Sequence, residues 1–133
     1  MKVLDATFLI DYLADKNNAR EFVDNHGGTG ADWVMPTPAY AEVLVGVGNG
    51  PEGNLDAARE TLDWGEVVGV DERLANMAAE IAEDIQPGGP YLAGMDGVIL
   101  AVGRDLSAPV VSRDNDMTHE KTKEVVDVEE YAE

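Results

Sequence analysis

The chain contains no cysteine, which excludes disulfide bonds and thiolate metal sites alike. Lysine is nearly missing too, standing only at Lys2, Lys16, Lys121 and Lys123. Histidine occurs twice, as His26 and His119, and neither belongs to a metal-ligand spacing; both are expected on a solvated surface. No apolar stretch approaches the roughly 18 residues needed to span a bilayer. Met1 leads almost directly into a strand, leaving no room for the regions of a signal peptide. A cytoplasmic protein without membrane contact is therefore expected. Gly46, Gly48 and Gly50 are not followed by Gly-Lys-Ser or Gly-Lys-Thr, so they form no phosphate loop. Repeats and low-complexity tracts are absent as well.

What remains is 133 residues with 44% hydrophobic and 27% charged content, ordinary for one globular domain spanning 1–133. The balance of charge is not ordinary. Twenty-seven Asp and Glu face 9 Lys and Arg, for a net charge of -18. The acids are spread along the chain and not gathered in a tail, which points to adaptation to molar salt. At about 1 M ionic strength the Debye length is roughly 3 Å, and self-repulsion in the compact state is largely screened. An acidic protein adapted to dilute salt is the alternative.

Apolar periodicity reads as alternating strands and helices. Short strands are expected at Lys2–Leu4, Trp33–Met35, Glu66–Val70, Val110–Val111 and Glu124–Val128. Helices are expected over Thr7–Ala14, Ala19–Asn25 and from Thr37, as N-cap with Pro38 following, into Val45. A loop over Gly46–Pro51 precedes a helix with Leu55, Ala58 and Leu62 on its apolar face. Asp71 caps a long helix carrying Leu74, Met77, Ala78, Ile81 and Ile85, which Gln86–Pro90 breaks. Asp96–Arg104 is apolar nearly all round, as a buried helix would be. Continuous apolar strands between helices imply a parallel sheet of about five strands in an α/β/α sandwich. Ligands of such sheets sit beyond the carboxyl ends of the strands, near the switch in strand order.

Four carboxylates stand at the edges of these apolar segments. Asp5 closes the first strand, Glu42 lies within an apolar helix, Asp96 heads the buried helix, and Asp114 follows the strand Val110–Val111. Each has a plain structural reading. Asp5 and Asp96 could cap helices, and Asp114 could form an Asx-turn in Ser112-Arg113-Asp114-Asn115-Asp116. Glu42 resists that treatment, because Pro38, Ala39, Val45 and Gly46, one turn away on its face, are apolar or small. If the fold gathers all four, their repulsion demands a cation, and a divalent-metal site for phosphodiester hydrolysis follows.

The run Val3-Leu4-Asp5-Ala6-Thr7-Phe8-Leu9-Ile10, Pro38 through Glu42, Asp96 ahead of Val98-Ile99-Leu100-Ala101, and Val110 through Asp116 together resemble the PIN domain, specifically VapC-type toxins of toxin–antitoxin systems. The resemblance spans essentially the whole chain and implies a metal-dependent endoribonuclease that hydrolyses RNA with Mg²⁺-activated water, Mn²⁺ being an alternative ion. It assigns Asp5, Glu42, Asp96 and Asp114 to the acidic quartet. Asp5, Asp96, Asp114 and the extra acid Asp116 are the implied metal ligands, with Thr7 and Ser112 as supporting hydroxyls. The implied partners are an RNA substrate, a small antitoxin and a second copy of the chain. Ala6, Ser112 and Met117 depart from the residues common at those positions, but no carboxylate is lost. Three other readings stand beside this one: a non-catalytic PIN interaction module, a housekeeping RNA-processing nuclease, and a phosphohydrolase or receiver-type phospho-acceptor on a similar sheet. The last is weakened because Asp5-Ala6-Thr7 lacks a paired acid.

Overall fold

Val3 and Leu4 have no exposed surface, as expected for a strand covered on both faces. They form β1 (Lys2–Leu4), the central strand of a five-stranded parallel sheet in a computed structural model that describes residues 1–132. The chain continues through α1 (Ala6–Leu13) and α2 (Asn17–Asn25) to β2 (Trp33–Pro36), then α3 (Thr37–Asn49) and α4 (Leu55–Thr61) to β3 (Glu66–Val68). Next, α5 (Glu72–Ile85) and α6 (Gly94–Leu106) lead to β4 (Val110–Ser112), and α7 (Glu120–Val125) leads to β5 (Val128–Glu130).

The strand order is β3-β2-β1-β4-β5, with every neighbouring pair parallel. The chain thus winds outward from β1 to β3, then returns across the sheet to β4 on the other side of β1. Right-handed crossovers put α1–α4 on one face and α5–α7 on the other, giving three layers. The packing agrees: α1 touches α2 and α3, α3 touches α4, and α5 touches α6 and α7. The core joins the strands to Phe8, Leu9, Leu62, Ile81, Ile99 and Leu100. The switch in winding direction falls between β1 and β4, where a crevice must open at the carboxyl edge.

Most expected elements are present, and the differences have physical causes. The segment expected as a strand from Glu124 is first α7 and only then β5. Thr122 fixes that helix: it is fully buried, and its hydroxyl donates to the Asp116 carbonyl at 2.7 Å. The expected loop from Gly46 is helical through Asn49, since α3 packs against α4 and tertiary contact overrides weak glycine propensity. Thr37 is the first residue of α3, with Pro36 in the cap position and no side-chain capping bond. Asp96 is likewise not a cap, because Ala93 holds that position and Asp96 stands inside the first turn of α6. Asp71 does cap α5, accepting from Leu74 N–H at 3.0 Å.

Candidate active site

Each strand flanking the switch delivers an acid at its carboxyl end. Asp5 follows β1 directly and Asp114 lies two residues beyond β4. Glu42 comes from α3 and Asp96 from α6, two helices that touch each other. All four line one cleft of about 600 Å³, together with Thr7, Ile10, Pro38, Ala41, Val45 and Met95. The apolar companions of Glu42 are therefore partly cleft wall, which explains a face neither solvated nor fully packed. Val45 is indeed 60% exposed.

Asp5 is 2% exposed and works with both oxygens. Oδ1 accepts from Phe8 N–H at 2.9 Å, capping α1, while Oδ2 accepts from the Ser112 hydroxyl at 2.5 Å. Ser112 Oγ also accepts from Asp114 N–H at 3.0 Å, tying the two strand ends together. Burial pushes the Asp5 carboxyl from 3.8 up to about 6 against the pull of those hydrogen bonds, and the charges of Asp114 and Asp96 push the same way. Asp96 is also raised to about 6, by desolvation first and then by Asp114, Glu42 and Asp116. Burial is the larger cause for both, and the neighbouring carboxylates of the same cleft add to it.

Asp114 does form the Asx-turn, its Oδ1 accepting from Asp116 N–H at 2.9 Å and Met117 N–H at 3.1 Å. That turn aims the loop without taking Asp114 out of the cleft. Asp116 is exposed and outside the cleft lining, near enough for its charge to act on Asp96. Thr7 lines the cleft, but no hydrogen bond joins its hydroxyl to a carboxylate among the described residues. Among the described residues no three Asp, Glu or His form a ready-made metal shell. The donors are nevertheless carboxylate oxygens in mutual repulsion, and Mg²⁺ commonly takes one or two of these plus waters. The residues fit a hard divalent ion.

One cluster beside the site escaped the sequence reading. Asp11, on α1, is 2% exposed and accepts from Arg113 Nε at 2.7 Å, Arg113 Nη2 at 3.2 Å and the Tyr131 hydroxyl at 2.8 Å. Hydrogen bonding from Arg113 pulls the Asp11 carboxyl below its ordinary range despite burial. Arg113 lies between Ser112 and Asp114, so this fork fixes the loop that carries Asp114. The available signal was Asp11 itself, a charged residue beside Tyr12 and one turn from Phe8 on the buried side of α1. Cations elsewhere are equally engaged: all 9 Lys and Arg side chains lie within 4.0 Å of an Asp or Glu oxygen. His26 and His119 are exposed and far from ligand work; His119 caps α7 through Nδ1.

Residues 2–123 match the family model of the PIN domain, and the chain belongs to the PIN domain family. No curated protein matches it in sequence. Solved structures share the fold at low identity. FitAcB from Neisseria gonorrhoeae is 23% identical with TM-score 0.76, covering 97% of each chain. VapBC2 from Rickettsia felis, bound to a promoter DNA fragment, is 11% identical with TM-score 0.75 over 98% of each chain. VapC20 from Mycobacterium tuberculosis, a toxin that cleaves the sarcin-ricin loop, is 15% identical with TM-score 0.62, and the match covers 89% of this chain and 93% of that one.

Proposed function

We propose that this chain is a divalent-metal-dependent endoribonuclease and the toxin of a VapBC-type toxin–antitoxin pair, acting in the cytoplasm. The observation that carries the reading is the meeting of Asp5, Glu42, Asp96 and Asp114 in one cleft at the switch between β1 and β4. A scaffold gains nothing from acids that raise one another's proton affinity, which disfavours the non-catalytic module. In this reading Asp5, Asp96 and Asp114 hold Mg²⁺ or Mn²⁺, and Asp116 adds its charge at the rim. When bound, the ion supplies Lewis acidity and neutralises both the carboxylates and the phosphate. Ser112 keeps the Asp5 carboxylate in one orientation, so its oxygens need no reorganisation. Glu42, exposed on the α3 wall, would orient the water for attack in line with the departing 3′-oxygen, whose charge a bound ion would stabilise.

Asp96→Asn is expected to lower cleavage of single-stranded RNA by roughly a hundredfold or more, since it removes a ligand carboxylate. EDTA should do the same to the unmodified chain. Full cleavage by Asp96→Asn, or in excess EDTA, would sink the metal mechanism.

The antitoxin reading draws support from an apolar groove beside the cleft, lined by Leu13, Ala14, Val43, Gly46 and Val47 and sharing Ile10 and Glu42 with it. A partner laying apolar side chains there could reach the carboxylates with an Arg, whose planar fork suits them. A homodimer and adaptation to molar salt complete the proposal, the latter resting on the net charge of -18.

A further inference from the structure

We propose that Tyr91 is a stacking platform for a base of single-stranded RNA at the mouth of the acid cleft, a role that rests on the nuclease reading above. Tyr91 is 91% exposed, although it belongs to a chain with few aromatics. Phe8, Tyr12, Trp33 and Tyr131 are buried, and Phe22, Tyr40 and Trp64 pack against the core. A ring that this fold leaves uncovered while covering its others contributes nothing to folding and stays available to a ligand.

The loop holding Tyr91 is braced. Gln86 Nε2 donates to the carbonyls of Gly89 at 3.2 Å and Pro90 at 2.9 Å. At Gly89 a Cβ would lie 2.0 Å from Ile85 Cγ2, so the loop is pressed against the end of α5. Leu92 packs against the core, and Ala93 lines the cleft. Two residues of chain span at most about 7 Å, so the Tyr91 backbone lies within that distance of the residue that lines the acid site, and the ring is within reach of its mouth. A rigid aromatic beside a phosphodiester site presents a face to which any base can stack.

The charge balance favours such a contact. Every Lys and Arg is already paired with a carboxylate, and the net charge is -18. Backbone phosphates therefore find little cationic surface, and molar salt would weaken whatever attraction remained. Stacking is indifferent to both.

The test uses the full chain in the Asp96→Asn background with Mg²⁺ present, and single-stranded RNA containing 2-aminopurine, whose fluorescence is quenched on stacking. Binding should quench the probe, and log Kd should vary only shallowly with log KCl concentration. Tyr91→Ala should weaken binding by about tenfold or more at every salt concentration and abolish the quench. Tyr91→Phe and Tyr91→Trp should retain both. Unchanged binding and quench in Tyr91→Ala would overturn the proposal, as would a Tyr91→Phe that behaves like Tyr91→Ala. Loss of antitoxin binding with RNA binding intact would also overturn it, assigning Tyr91 to a protein contact. Failure of the nuclease reading looks different: the unmodified chain would not cut RNA with Mg²⁺ or Mn²⁺, while Tyr91-dependent quenching persisted.

Discussion

Asp5 concentrates the tension between folding and function in one side chain. A cap and a site acid are competing readings of its sequence position, yet a carboxylate has two oxygens: one caps α1, and the other takes the Ser112 hydroxyl beside the cleft. Its carboxyl is raised from 3.8 to about 6, so the native state binds more protons than the unfolded chain between those values. The metal-free protein therefore has this contribution in full below about pH 4 and loses it as pH rises through 6. With one pH unit worth about 1.4 kcal/mol, Asp5→Asn should stabilise the metal-free protein at pH 8 by up to about 3 kcal/mol. The gain should vanish near pH 4 in denaturant melts with EDTA; an equal gain at both pH values would refute the charge argument. Asp11→Ala should act in the opposite direction, costing about 1–3 kcal/mol by removing the acceptor shared by Arg113 and the buried Tyr131 hydroxyl. Nothing in the spacing of Asp11 named its partners, because Arg113 and Tyr131 lie more than 100 residues away and only the fold supplies them.

At the scale of elements, the long helices and the central strands were legible because their apolar periods are unambiguous. The failures fall where a local signal competes with packing. Val125, Val126 and Val128 read as one strand, but the buried Thr122 commits the first of them to α7. Gly46 and Gly48 read as a loop, but the contact of α3 with α4 keeps them helical. The four site acids were legible as outliers on apolar segments, whereas their convergence needed the strand order. Gly103 shows how closely that order is enforced: a Cβ there would stand 2.4 Å from Val110 Cγ2 on β4. Gly103→Val should overpack this seam and cost about 1–3 kcal/mol. Since α6 carries Asp96 and β4 leads to Asp114, RNA cleavage should fall by more than the loss of folded protein accounts for. Thermal melts alongside single-turnover cleavage would separate the two effects.

For the whole molecule, the dominant long-range force is self-repulsion. Ion pairs engage every cation, yet 18 negative charges remain in excess. The melting temperature should therefore rise between about 0.1 M and about 2 M KCl as the Debye length shrinks from roughly 10 Å to below 3 Å. A melting temperature that is flat or lower in the concentrated salt would refute adaptation to molar salt. Composition alone carries this expectation, because it depends on counts and not on contacts.

The placement of β1 between β2 and β4 has a consequence in time. Asp5 leaves the ribosome early, but the strand that brings Ser112 and Asp114 beside it is more than 100 residues behind. At about 5–20 residues per second, synthesis takes roughly 5–20 s to cover that stretch. Through that interval the nascent chain gains Glu42 and then Asp96 but cannot close the acid cleft, which waits for Asp114. On the nuclease reading proposed above, such a chain is harmless to its own message and ribosome until most of it has been made.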